Sequence, residues 1–232
     1  MENLNAEITD RMVLNLDVGD LDSAISLTKS VGQYFGYAKV GSELYAQAGV
    51  DAIEAMQDLG KKVFLDLKIH DIPNTVERSL RVHASRGIAM TTVHASGGKE
   101  MLLAAKKGLE EGAKDAGVET PILLGVTVLT SLPPDEKSFS QRLSWIDEVG
   151  CDLVCSAHEL KKVREVSTSV KALVPGIRLS GQSLDDQTRV ATPYDAVIDG
   201  ATWIALGRAV YADKDPLGAA KRVYEEVEKA RG

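Results

Sequence analysis

The stretch Val63-Phe64-Leu65-Asp66-Leu67-Lys68-Ile69-His70-Asp71-Ile72-Pro73-Asn74-Thr75 decides how the rest of the chain is read. Its first half is apolar and extended in character, and belongs to a strand over 62–67. Pro73 then suits the first turn of a helix, where a missing N–H costs nothing, and apolar residues at helical spacing continue over 75–86. One strand, a short charged turn and one helix make a unit, and the unit recurs in both directions. Strand-like runs fall at 12–16, 37–40, 62–67, 90–94, 122–128, 152–155, 171–174 and 203–206. Between and after them, amphipathic stretches at 21–31, 42–59, 75–86, 99–112, 139–149, 159–166, 194–199 and 216–231 read as helices. Asp22 and Ser138 are candidate helix N-caps, and Pro216 is a second first-turn proline. Eight such units in 232 residues predict an α/β fold, a (β/α)8 TIM barrel spanning 1–232 as a single domain, with a short N-terminal extension at 1–11. A doubly wound open sheet is the alternative. No GxGxxG follows the first strand, which counts against it.

Hydrophobic residues make up 44% of the chain and charged residues 26%, a globular balance rather than a disordered one. With 27 basic and 34 acidic residues, the formal net charge is −7, which argues against nucleic acid as a partner. No run approaches the ~20 apolar residues that span a bilayer, and the first twelve residues are too polar for a signal peptide, so no membrane is expected. Cys151 and Cys155 are too few for a disulfide framework and are not spaced as a zinc site. They read as small buried residues in a cytoplasmic chain. No internal repeat, low-complexity run or linker interrupts the pattern. The longest irregular segments, 130–137 and 175–192, both follow strands, at the end of a barrel where active sites form.

The charged strand end is the most informative chemistry. Asp66 and Lys68 are two apart in a strand, so alternation puts both on one face, the barrel interior, at the strand's C-terminal end. Asp71 follows in the turn. Asp17 ends the first strand, and Lys39 sits inside the second between Ala38 and Val40, where an unpaired ammonium is costly. Strands one, two and three are neighbours in a barrel, so Asp17, Lys39, Asp66 and Lys68 are expected to form one alternating cluster. Opposite charges nearby keep both lysines protonated. A positioned protonated lysine is a general acid. A carboxylate facing an anionic substrate group raises the ground state by about 4 kcal/mol at ~4 Å and an effective dielectric of ~20. That repulsion disappears if the group leaves as neutral CO2, so the cluster suits decarboxylation with protonation of the resulting carbanion.

A second constellation lies late in the chain. Pro175-Gly176-Ile177-Arg178 ends the seventh strand, Gln187 follows in Asp185-Asp186-Gln187-Thr188-Arg189, and Gly207-Arg208 ends the eighth. In phosphate-using barrels the loops after strands seven and eight hold the phosphate. Gly207 lets backbone approach closely, Arg208 can donate two parallel hydrogen bonds, and Gln187 adds neutral donors.

Together these residues resemble the orotidine 5′-monophosphate decarboxylase family. The resemblance rests on Asp66-x-Lys68-x-x-Asp71-Ile72-Pro73-Asn74-Thr75, on Lys39-Val40-Gly41, on Pro175-Gly176-Ile177-Arg178, on Asp186-Gln187-x-Arg189 and on Gly207-Arg208, and it runs from about Val13 to Pro216. It implies a homodimeric barrel that decarboxylates orotidine 5′-monophosphate to uridine 5′-monophosphate with no cofactor and no metal. The implied catalytic set is Lys68, Asp66, Asp71 and Lys39. Lys68 would donate the proton to C6 of the pyrimidine, and Asp66 would lie near the departing carboxylate. Asp71 and Thr75 would reach into the partner subunit's site. Asp17 and Lys39 would contact the ribose hydroxyls. Thr130 or Ser131 would lie over the pyrimidine in a mobile loop. Pro175, Arg178, Gln187, Gly207 and Arg208 are the implied residues at the phosphate end. Gln182 is an alternative to Gln187 there.

His94-Ala95-Ser96-Gly97-Gly98 also resembles the family and reads as a strand end with a glycine turn. His70 alternates away from the face of Lys68 and reads as packing, while His83 and His158 read as helix-surface residues. Two other functions fit part of the pattern. A sugar-phosphate decarboxylase or aldolase similar to 3-keto-gulonate 6-phosphate decarboxylase would share Asp-x-Lys-x-x-Asp but needs a magnesium ion, for which Glu43 is the nearby acidic candidate. A non-catalytic nucleotide-phosphate sensor would keep Arg178 and Arg208 but has no need of two lysines among three aspartates.

Overall fold

The computed structural model describes residues 4–129, 136–180 and 191–231. Eight parallel strands close into a barrel in chain order. They are β1 (Met12–Asn15), β2 (Tyr37–Gly41), β3 (Lys62–Ile69), β4 (Met90–His94), β5 (Ile122–Val126), β6 (Asp152–Val154), β7 (Ala172–Val174) and β8 (Trp203–Leu206). β8 returns to β1, with Met12 opposite Ile204 and Val13 opposite Ala205, so the open-sheet alternative is excluded.

The helices are α1 (Ala6–Thr9), α2 (Leu21–Val31), α3 (Ser42–Ala48), α4 (Val50–Asp58), α5 (Pro73–Ala84), α6 (Lys99–Ala116), α7 (Glu136–Val149), α8 (Ala157–Val166), α9 (Pro193–Ile198), α10 (Arg208–Tyr211) and α11 (Pro216–Arg231). Several differ from expectation for local reasons. The helix predicted over 42–59 is two helices, because Gly49 turns the chain with a φ of +57°, a conformation open to glycine. The cap of α2 is Asp20, whose carboxylate accepts the Ser23 N–H at 2.7 Å; Asp22 already lies in the first turn. Ser138 lies inside α7 rather than capping it. α8 begins earlier than predicted, at a reciprocal capping box between Ser156 and Glu159. α1 and α10 were not expected. α1 ties the N-terminal segment to α11: the Asn5 N–H donates to the Tyr224 hydroxyl at 2.9 Å, and Glu7 pairs with Arg231 at 2.7 Å.

Two apolar layers hold the barrel. The larger lies between the strands and the helices, and the smaller fills the interior with Val13, Tyr37, Phe64, Met90, Leu124 and Leu173 among others. Strand side chains alternate between these layers. Two residues further along the inward face, toward the C-terminal mouth, come Asn15, Lys39, Asp66 and Thr92. The inward face of β1–β4 thus changes from apolar plug to a polar, partly charged half-ring within two residues.

Candidate active site

The ring carries the predicted ion-pair array. Lys39 Nζ lies 2.7 Å from Asp17 Oδ1 and 3.6 Å from Asp66 Oδ2, while Lys68 Nζ lies 2.8 Å from both Asp66 oxygens. Lys39 and Asp66 are each only 8% exposed. Burial by itself pushes the Asp66 carboxyl up. Lys39 and Lys68 nearby, with hydrogen bonds from Lys68 and Thr92, outweigh that and hold it below the ordinary carboxylate range. Gly41 makes room for the array: a Cβ there would lie 2.8 Å from Lys39 Nζ and 3.2 Å from Asp17 Oδ1. The array faces a cavity of about 190 Å3 lined by Asn15, Lys39, Phe64, Asp66, Lys68 and Pro175, with apolar groups from β5 and β6 opposite.

Simple alternation predicted the meeting of Asp66 and Lys68, but the backbone achieves it differently. Four steps along β3, from Leu65 to Ile69, are matched by two along β4, from Thr91 to Val93. Lys68 sits in this bulge with a φ of +48°, the only positive value at a non-glycine residue among the described residues. Such a conformation costs about 1 kcal/mol or more and is kept where the surroundings enforce it. The bulge re-aims the side chain at the end of the strand.

The late constellation lies beside the same mouth. Arg178 is 7% exposed and donates to the Ile177 carbonyl at 3.0 Å. Ile177 bridges to Ala191 in parallel sense. Gly207 stands against Asn15 and the Tyr211 ring, each 3.4 Å from where a Cβ would be, and Arg208 follows it at the start of α10. The charges of both groups act on the phenol of Tyr211. Burial, then Asp17, pushes it up, while Arg208, Arg178 and Lys39 oppose the rise. One aromatic hydroxyl is thus within electrostatic reach of both arginines and of the array. Thr130, Ser131, Gln182 and Gln187 lie outside the described residues.

An Asp/Lys array thus lies at the C-terminal mouth of the barrel, with two arginines on its β7–β8 side. The Orotidine 5′-phosphate decarboxylase / HUMPS family matches residues 10–223. The chain belongs to this family. Orotidine 5′-phosphate decarboxylase of Heliobacterium modesticaldum is 38% identical, aligned over 95% of this chain and 97% of its own. That of Lactococcus lactis subsp. cremoris (strain SK11) is 43% identical over 82% of this chain and 86% of its own. The crystal structure of orotidine 5′-phosphate decarboxylase from Lactobacillus acidophilus superposes with a TM-score of 0.79 at 35% identity, covering 94% of this chain and 99% of that one.

Within this family member, the turn after β3 stands apart from the array. Asp71 through Thr75 are exposed, and the Asp71 carboxylate accepts the N–H of Ile72 at 2.7 Å. Glu43, exposed in the first turn of α3, is not a member of the array. His70 packs against His94 with ring centroids 5.6 Å apart, and burial first, then His70 and Lys68, hold His94 below the ordinary imidazole range. His83, read as a surface residue, meets Tyr45 edge-on at 5.9 Å. Three neighbours of the site were missed: Asn15, Thr92 and Tyr211. The Asn15 Oδ1 is buried with no hydrogen-bond partner among the described residues. Counting by twos from Val13 and Met90 would have flagged Asn15 and Thr92 as polar residues on the inward face. Nothing local marks Tyr211.

Proposed function

We propose that this chain decarboxylates orotidine 5′-monophosphate to uridine 5′-monophosphate in pyrimidine nucleotide synthesis, in the cytoplasm and without a cofactor. The Asp17–Lys39–Asp66–Lys68 array carries the reading. Asp66, kept ionised by two lysines, faces the substrate carboxylate and destabilises it. The C6–carboxylate bond breaks, CO2 departs, and the electron pair stays on C6. Lys68 stabilises that charge as it forms and then gives its proton to C6, leaving a neutral amine that regains a proton from solvent. Asp17 and Lys39 hold the ribose hydroxyls. Thr130 or Ser131 covers the base. Pro175, Arg178, Gln187, Gly207 and Arg208 bind the phosphate end.

The acting form is a homodimer in which Asp71 and Thr75 complete the partner's site. What supports this is the surface they occupy: Ile72, the N-cap of α5 beside them, is 66% exposed, and Val82, farther along α5, is 58% exposed. Exposed apolar residues next to a polar catalytic candidate suit burial by a second copy of the chain.

The test is an ultraviolet assay of orotidine 5′-monophosphate turnover with and without a chelator. Turnover unaffected by chelator is expected. Turnover only with added magnesium would overturn the reading in favour of the sugar-phosphate branch and make Glu43 the next residue to examine. Arg208→Ala tests the phosphate end. Loss of a bidentate charged contact is expected to lower kcat/KM by about 10²- to 10³-fold, because binding energy at the phosphate acts at the reacting carbon. Steady-state kinetics reads this, and a kcat/KM within threefold of the parent would move the phosphate elsewhere.

A further inference from the structure

We propose that Thr92 is a positioning residue for this reaction, whose single hydroxyl fixes the Lys68 backbone and the Asp66 carboxylate relative to one another. The inference rests on the decarboxylase reading and deepens it. Thr92 is fully buried on the inward face of β4. Its Oγ1 accepts the Lys68 backbone N–H at 3.0 Å and donates to Asp66 Oδ1 at 2.8 Å. The direction of both bonds is forced, since an N–H can only donate and an ionised carboxylate can only accept. The bulge explains why a hydroxyl is needed. Where the β3–β4 register shifts between Leu65 and Ile69, the Lys68 N–H takes a side-chain acceptor in place of a strand carbonyl. The same hydroxyl donates a hydrogen bond to the carboxylate that Lys68 Nζ also grips. Backbone bulge, carboxylate rotation and ammonium position are therefore coupled through one atom.

Neighbouring Thr91 supplies the contrast. Its hydroxyl donates to the Leu65 carbonyl at 3.0 Å, a bond within the wall that touches no member of the array. Among the described residues, the charged and titratable groups around Asp66 are Lys39 from β2, Lys68 from its own strand and His94 from β4 with His70 beside it; Asp17 acts through Lys39. Thr92 adds the neutral donor that helps keep Asp66 ionised.

Thr92→Val keeps shape and removes the hydroxyl. We expect kcat to fall about 10- to 100-fold with KM changed less than about threefold, and the acidic limb of the kcat profile to move to higher pH. Thr92→Ser is expected to restore kcat to within about threefold of the parent and to return the limb. Thr91→Val, which deletes a comparable buried bond, should leave both unchanged. The Asp66 titration, followed by 13C NMR in the unliganded protein, should move upward in Thr92→Val. Should that variant fail to fold, Thr92→Ala carries the same expectations. A kcat and pH limb equal to the parent's, no rescue by serine, or an unmoved Asp66 titration would each overturn the proposal. Absence of turnover by the parent protein would instead sink the decarboxylase reading, and the Asp66 titration would still judge the clamp.

Discussion

Lys68→Ala lowers kcat by about 10⁴-fold, the upper end of what a positioned general acid supplies, and leaves a folded barrel. The two halves of this expectation have separate grounds. Lys68 Nζ is held by both oxygens of Asp66 at the edge of the cavity, so in the proposed reaction it is the donor that a carbanion formed there meets. Deleting it removes the proton and one of two cations opposite Asp66. Lys39 remains at 3.6 Å, so the buried carboxylate is not left without a counter-charge, and collapse of the core is not expected. Lys68→Arg separates charge from proton donation. The guanidinium preserves the positive charge but holds its proton too tightly to give it up, so this variant should also be nearly inactive. Turnover read by absorbance and melting read by circular dichroism check both variants. Lys68→Ala activity within tenfold of the parent would remove Lys68 from the chemistry.

Much of this was legible in the sequence because barrels are built from short local units. An apolar run, a charged turn and a proline-started helix occur within Val63–Thr75, and the strand-then-helix order recurs around a closed sheet of eight strands. The array was legible for the same reason. Neighbouring strands bring their C-terminal ends together, so Asp17, Lys39 and Asp66 had to meet once the barrel was granted. What stayed hidden depends on backbone detail that no periodicity encodes. The bulge at Lys68 arises from a register shift between two strands, and the bond from the Lys68 N–H to Thr92 forms at that shift. The break at Gly49 was masked by apolar spacing that continues through it. The cap of α2 was misplaced by two residues because Asp20 and Asp22 both precede or open the same apolar run, and only the bond to Ser23 separates them.

Mixing inactive Lys68→Ala protein with inactive Asp71→Ala protein restores activity if the site is composite. Asp71 lies on the exposed turn after β3, bonded to its own neighbour's amide rather than to the array, next to the uncovered Ile72. In the proposed homodimer, a carboxylate placed there completes the site of the second copy rather than its own. In a mixed dimer one site then carries both lesions and the other carries neither. Random pairing makes about half the dimers mixed, each with one intact site of two, so about a quarter of the parent activity should return. Each variant alone should lose about 10³-fold or more, since each removes a charge from the reacting centre. Lys68→Ala mixed with Asp66→Asn is the internal control. Those two residues grip each other within one chain, so every site in that mixture holds one lesion and nothing is restored. Differently tagged protomers, co-expressed and purified through both tags, give the mixed dimer directly. If that dimer is as inactive as its parents, Asp71 works within its own chain and the composite site is wrong; if it regains about half the parent rate, each mouth of the barrel is finished by its partner.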